Sequence, residues 1–236
     1  MLYLIGLGIW DERDISVKGL EICRKADDVY CELYTAAWGG SLKRLGKMIG
    51  KEIGMLERKD VENDSETFVE KARKKEIVLL VPGDPLVATT HLHLLAEAKE
   101  KGVPFEVVHS SSILTVVGRT GLHLYKFGRV VTIPSPEENY SPDSFYEAIA
   151  KNMKMGLHSL LLLDIELGTK KALEILKGID KEKKGILKGR KMIICSKLGS
   201  DKEIIVYGKA TDLPPPAVII IPGDLHFSEE EFLEKL

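Results

Sequence analysis

The chain has 236 residues, 44% hydrophobic and 30% charged, with a formal net charge of -2. That length holds one large domain or two small ones with real cores. The charge balance gives no electrostatic footprint for nucleic acid, and apolar runs such as 160–163 and 218–221 fall far short of the roughly 20 residues of a membrane span. The opening MLYLIGLG has neither the basic flank nor the cleavage site of a signal peptide, so a soluble cytoplasmic protein is expected. Cys23, Cys31 and Cys195 form no C-x-x-C pair and read as buried thiols in a reducing compartment.

In chain order, apolar runs of strand length fall at 2–5, 29–33, 53–56, 77–81 and 105–108. Helical patterns lie between them at 17–25, 42–49, 66–74 and 92–99. Asp64 or Ser65 is the expected N-cap of the third helix, and Gly102 with Pro104 closes the fourth. Strands alternating with helices imply a parallel sheet with helices on both faces. A short helix and a glycine-rich connection follow over 110–128, with Ser110 or Ser111 as the expected cap. This segment is expected to hinge two domains, residues 1–112 and 113–236.

The second half mixes its signals. Strands are predicted at 130–133, 159–165, 191–196, 203–206 and 218–221, with only two clear helices, at 144–153 and 170–176. A hairpin turn is expected at Leu198-Gly199-Ser200-Asp201, which makes this an α+β domain with a mixed sheet. Ser228, followed by acidic residues, reads as the cap of a C-terminal helix.

Two stretches carry chemical signals. Tyr3-Leu4-Ile5-Gly6-Leu7-Gly8 supplies a strand and two glycines, but the third glycine of a dinucleotide motif would fall at Asp11. With Glu12 and Asp14 nearby, three carboxylates would repel a pyrophosphate, so a nicotinamide site is not expected. A cationic or neutral ligand suits these acids better. Val81-Pro82-Gly83-Asp84-Pro85-Leu86 places a turn with a lone carboxylate at a strand's carboxyl end, where open α/β sheets hold ligands. S-adenosylmethionine, with its sulfonium and ammonium charges, fits electrostatically; an unspecified nucleotide or metabolite fits as well. Asp84 could equally cap the helix that follows. The echo of this turn near Asp224 reads as structural. His91-x-His93 lacks metal-ligand spacing, and no metal is expected. Asp11, Asp14 and His91 are conceivable bases, but no residue is marked as one.

Taken together, YLIGLGIWDERDISVKGLE, VPGDPLVATTH, SSSILTVVGRTGLHLYKFG, HSLLLLDIE and IPGDLHFSEEEFL resemble the diphthine synthases. These form a branch of the tetrapyrrole-methylase type of methyltransferase, and the likeness spans nearly the whole chain. It implies a two-domain class III methyltransferase fold, a homodimer, and S-adenosylmethionine held in the cleft between the domains. The implied acceptor is translation elongation factor 2, methylated on the amino group of a modified histidine in diphthamide biosynthesis. Carried onto this chain, the cofactor contacts fall at Ile9, Asp84, Val87, Ser112, Ile113, Leu163, Leu198 and Ala217. The chain departs from the family pattern in a shorter connection between Asp164 and Cys195, in Ala217 where a histidine is usual, and in Trp10 where a smaller residue is usual. A sister methylase acting on a porphyrin-like ring or ribosomal RNA, and a non-catalytic module binding an adenine metabolite, remain as alternatives.

Overall fold

The computed structural model describes residues 1–136, 142–183 and 185–236, and the chain divides into two compact units, Met1–Val116 and Val117–Leu236.

The first unit is built on a five-stranded parallel sheet in the order β3-β2-β4-β1-β5. Its strands are β1 (Leu2–Gly6), β2 (Asp28–Glu32), β3 (Gly54–Leu56), β4 (Ile77–Val81) and β5 (Phe105–Val108). The central strands β1 and β4 are buried along their whole length. They read as unbroken apolar runs because both faces of the sheet are covered. Alternation sends Ile5, Val78 and Leu80 to one face, with α1 (Val17–Lys25) and α2 (Leu42–Ile49). It sends Leu2, Leu4 and Leu79 to the other, with α3 (Ser65–Lys71) and α4 (Leu92–Glu100). Ser16 caps α1 by accepting the Gly19 amide at 3.0 Å, and Ser41 caps α2 by accepting that of Arg44. Asp64 precedes α3 but makes no side-chain cap bond. A wide turn over Lys59–Asn63, closed by the Asp64 amide on the Lys59 carbonyl, takes its place. Four-residue α5 (Ile113–Val116) starts at the Ser112 carbonyl, so neither Ser110 nor Ser111 caps it as expected.

The second unit carries a mixed five-stranded sheet in the order β6-β7-β10-β8-β9. Here β6 (Val131–Ile133) and β7 (Ser159–Leu163) are parallel. The remaining pairings, among β7, β8 (Met192–Ser196), β9 (Ile204–Gly208) and β10 (Ala217–Ile221), are antiparallel. The expected hairpin joins β8 to β9. Helices α6 (Ser144–Lys154) and α7 (Thr169–Glu182) pack Phe145, Ile149, Leu173 and Leu176 onto Leu161, Ile194 and Ile219 of the sheet. Helix α7 runs six residues past its predicted end. Its polar tail hides a buried Asp180, whose carboxylate accepts the Tyr146 hydroxyl at 2.7 Å and the Leu187 amide at 2.9 Å. The cysteines are buried free thiols, with burial pushing Cys23 and Cys195 up to about 12. Among the described residues no helix is long and apolar enough to cross a membrane.

The C-terminal helix α8 (Phe227–Leu233) is capped by His226, two residues before the expected Ser228. The shift follows from Glu229, which is fully buried and collects donors from three directions. Its carboxylate accepts the amides of His123 and His226 at 2.7 Å, the Lys126 ammonium, and His158 Nε2 at 3.0 Å. The Gly223 amide donates to His158 Nδ1, which fixes the ring with its proton on Nε2. Burial alone would push Glu229 up, but these donors bring it down to about 2.

A folded-state value below the unfolded one means the unfolded chain takes up the proton first on acidification. The contribution of Glu229 is therefore complete above its ordinary value of 4.5 and is lost as pH falls towards 2. Glu229→Gln is expected to lower stability at pH 7 by about 1.5–3 kcal/mol, the range for hydrogen bonds to a charged group. In urea melts the gap between variant and wild type should narrow below pH 4.5; a gap that stays constant down to pH 3 would contradict this account.

Candidate functional site

Three neighbouring parallel strands, β4, β1 and β5, end together, and their exits lie against one another. The connection leaving β1 runs to α1 on one face, and that leaving β4 runs to α4 on the other. Chains diverging in this way leave the ligand-binding position of open α/β sheets at the strands' carboxyl ends. Gly8 and Gly83 pair across the exits, Gly8 N–H to the Gly83 carbonyl at 3.1 Å and Gly83 N–H to that of Gly8 at 2.9 Å. Both have positive φ, +79° and +70°, which glycine adopts without a steric penalty. A Cβ on Gly6 would lie 2.5 Å from the Gly83 carbonyl oxygen and 2.7 Å from Ser110 Cβ. The three exits therefore meet within the width of a glycine.

Asp84 ties them. Its Oδ1 accepts the Leu86 amide at 3.0 Å across its own turn, and its Oδ2 accepts the Ser110 amide at 3.1 Å from the exit of β5. The same Oδ2 lies 2.8 Å from His109 Nδ1. Asp84 does not cap the following helix, because α4 begins only at Leu92, behind His91. The turn continues through Val87, whose amide reaches the Asp84 carbonyl, and Ala88, held at φ +56°. Beneath it, the buried His91 ring approaches Glu32 at 3.7 Å and the Tyr34 hydroxyl at 3.5 Å. Burial pushes His91 down to about 4 and pushes Glu32 up.

The acids of the first loop do not form the open negative site expected from their number. Asp14 accepts the amides of Trp10 and Asp11. Asp11 is bridged by Arg13, which lowers its pKa through a side-chain hydrogen bond. Glu12 is buried against Arg44 and the Ser41 amide, and Arg44 lowers it likewise. These carboxylates shape the loop. Trp10 packs against Gly39, where a Cβ would stand 2.5 Å from the indole.

Of the eight predicted cofactor residues, five belong to the first unit and gather at these exits. Ile9 follows the Gly8 turn, Asp84 and Val87 lie in the β4 turn, and Ser112 and Ile113 follow the exit of β5. A Cβ on Gly83 would sit 4.0 Å from Ser112 Cβ, so the two turns approach one another. The other three share one end of the second unit's sheet. Leu163 closes β7, Ala217 opens β10 beside Ser196, and Leu198 lies just beyond β8. The Lys197 amide donates to the Pro216 carbonyl at 2.8 Å and draws these segments together. Sequence reasoning missed His109; nothing in VVHSSS signals that its ring reaches a carboxylate 25 residues away. Among the described residues no cluster suited to a metal ion occurs.

The chain matches the tetrapyrrole (corrin/porphyrin) methylases over residues 1–214. It is 42% identical to a diphthine synthase of Methanocaldococcus jannaschii, an alignment covering all of this chain and 98% of that one. It is 40% identical to one of Methanothermobacter thermautotrophicus, over 100% and 95% of the two chains. The first alignment spans 253 positions against 236 residues, so this chain is the shorter. A crystal structure of diphthine synthase superposes with a TM-score of 0.90 at 36% identity, covering 99% of this chain and 94% of that one. Full-length identity at this level and a shared two-unit fold place the chain in the tetrapyrrole methylase family, within its diphthine synthase branch.

Proposed function

We propose that the protein is an S-adenosylmethionine-dependent methyltransferase of diphthamide biosynthesis, methylating the amino group of the modified histidine of translation elongation factor 2. The observation that carries this reading is the glycine-lined meeting of three strand exits, in a chain related along its length to diphthine synthases. When bound, S-adenosylmethionine supplies a methyl group on a sulfonium sulfur.

The exits suit such a donor. Gly8 and Gly83 let main chain approach a ligand with no Cβ between. Ile9, Val87 and Ile113 are half-buried apolar residues on the three exits and suit its uncharged body. Asp84 holds the turn's shape, and its contribution to donor binding comes through that shape. Leu163, Leu198 and Ala217 complete the proposed contact set from the second unit. Ala217 would act through its backbone, since it has no imidazole to offer. Methyl transfer requires alignment and a dry site more than acid–base strength at the donor. A homodimer working in the cytoplasm, without membrane or nucleic acid, completes the proposal.

Calorimetry should show saturable binding of S-adenosylmethionine, and Asp84→Ala should weaken it by about 1–3 kcal/mol; an unaltered dissociation constant would separate the turn from the donor site. Incubating elongation factor 2 that bears the aminocarboxypropyl-histidine with protein and donor should add whole methyl increments to its intact mass. Donor binding without a mass gain would turn the search to another acceptor, such as a porphyrin-like ring or ribosomal RNA. Light scattering should give twice the mass of one chain, and a monomer's mass would remove the dimer from the proposal.

A further inference from the structure

We infer that His109 is the proton acceptor for the amine that receives the methyl group, and that Asp84 is the positioning residue that prepares it. The inference rests on the methyltransferase reading above and supplies the base that the sequence does not mark.

The chemistry requires that a proton be lost, with solvent as the competing acceptor. An amine attacks carbon only with a free electron pair, so an acceptor that arrives as an ammonium must first lose a proton. That proton passes to His109 Nε2, leaving the pair on nitrogen. The pair forms the new N–C bond while the donor's S–C bond breaks, and the electrons of that bond stay on sulfur as a neutral thioether. The imidazolium then returns its proton to water. A product nitrogen that still carries a proton must lose it before another round, so a proton acceptor is called on at each transfer.

The geometry singles out His109. Asp84 Oδ2 already accepts the Ser110 amide, so it is an acceptor, and His109 Nδ1 is the donor in their 2.8 Å contact. A neutral ring protonated on Nδ1 carries its basic pair on Nε2. Among the described residues Nε2 has no partner, and the His109 side chain is 68% exposed, whereas that of Asp84 is 6% exposed. A buried carboxylate thus orients an exposed imidazole, the arrangement by which acid–base histidines are held in one tautomer. The dyad also lies among the proposed donor contacts, with Asp84 and Val87 on one side and Ser112 and Ile113 on the other.

The other candidates are engaged elsewhere. Asp11 is bridged by Arg13, and Asp14 accepts two amides. His91 is fully buried. Both nitrogens of His158 are used, by Glu229 and Gly223, and both of His93 contact backbone carbonyls. His123 contacts Tyr125 and Ser228, and His226 contacts Ser228 within the cap of α8. None of these four couples a carboxylate on one nitrogen to an exposed, free second nitrogen.

Two variants test the inference. His109→Asn keeps an N–H donor for Asp84 but has no basic nitrogen, and His109→Ala removes both. With modified elongation factor 2 and saturating donor, the single-turnover rate of His109→Asn at pH 7 should fall about 100-fold, within the range for general bases. Its donor dissociation constant should stay within about twofold of wild type, since no donor contact is assigned to the ring. The deficit should narrow as pH rises and the acceptor amine loses its proton to solvent, and added imidazole should partly restore His109→Ala. Nitrogen-15 spectra of the free protein should show neutral His109 protonated on Nδ1. A His109→Asn rate equal to wild type, or an Nε2-protonated ring, would overturn the inference. A wild-type protein that binds donor but leaves modified elongation factor 2 unmethylated would instead defeat the proposed acceptor, and the role of His109 with it.

Discussion

A single carboxylate sets the geometry of the first unit's working end. Asp84 fastens its own turn with one oxygen and the exit of β5 with the other, across the end of β1. Strands β4 and β5 are not neighbours, because β1 lies between them, so no ladder hydrogen bond can hold their exits in register. The Asp84 bridge supplies that link from the side-chain level. It works only because β1 leaves as Gly6-Leu7-Gly8, for any Cβ on Gly6 would occupy space already filled by the Gly83 carbonyl and Ser110. The glycines and the aspartate are thus one device: glycine creates the close approach, and the carboxylate keeps it.

The device has a chemical consequence. Charge that looks available in the sequence is consumed within the fold, since Asp11, Glu12 and Asp14 each satisfy a guanidinium or backbone amides of their own loop. The strand exits are then lined by oriented main chain and half-buried apolar side chains, which in the proposed reading suits a methyl donor whose reacting carbon needs a dry, aligned setting. The exposed ring of His109 at these exits is held by the same carboxylate that shapes the turn.

Much of this was legible in the sequence, and the reasons differ by element. The central strands β1 and β4 of the first unit are buried on both faces, so their apolar runs mark them within a residue or two. Helix α7 runs six residues past the pattern that marks it; only tertiary partners, Tyr146 and Leu187, explain a carboxylate inside it. The cap of α8 departs from its expected position for a similar reason. Glu229 looks like a first-turn acid for Ser228 but reaches back to the His226 amide while serving Lys126 and His158. The Pro-Gly-Asp turn was visible as a candidate site from its place after an apolar strand. The Asp84–His109 pair was not, because local pattern says nothing about side chains brought together by adjacent strand exits.

The two Pro-Gly-Asp turns show why such a motif gains its meaning from its surroundings. Both follow an apolar strand, β4 in one unit and β10 in the other. At the second, a Cβ on Gly223 would meet the Gly156 and Leu157 backbone at 2.4–2.5 Å, and the Asp224 amide donates to the Gly156 carbonyl. That turn is packed solid against its own chain, and Lys126 further clamps the Asp224 carbonyl. At the first, the Cβ position of Gly83 has nothing nearer than Ser112 Cβ at 4.0 Å. Identical residues therefore close one strand end and leave the other accessible. The difference arises because β4 exits beside a glycine turn of β1, whereas the exit of β10 is filled by the backbone that follows α6. Only an exit that retains space beside its oriented main chain has room to hold a ligand.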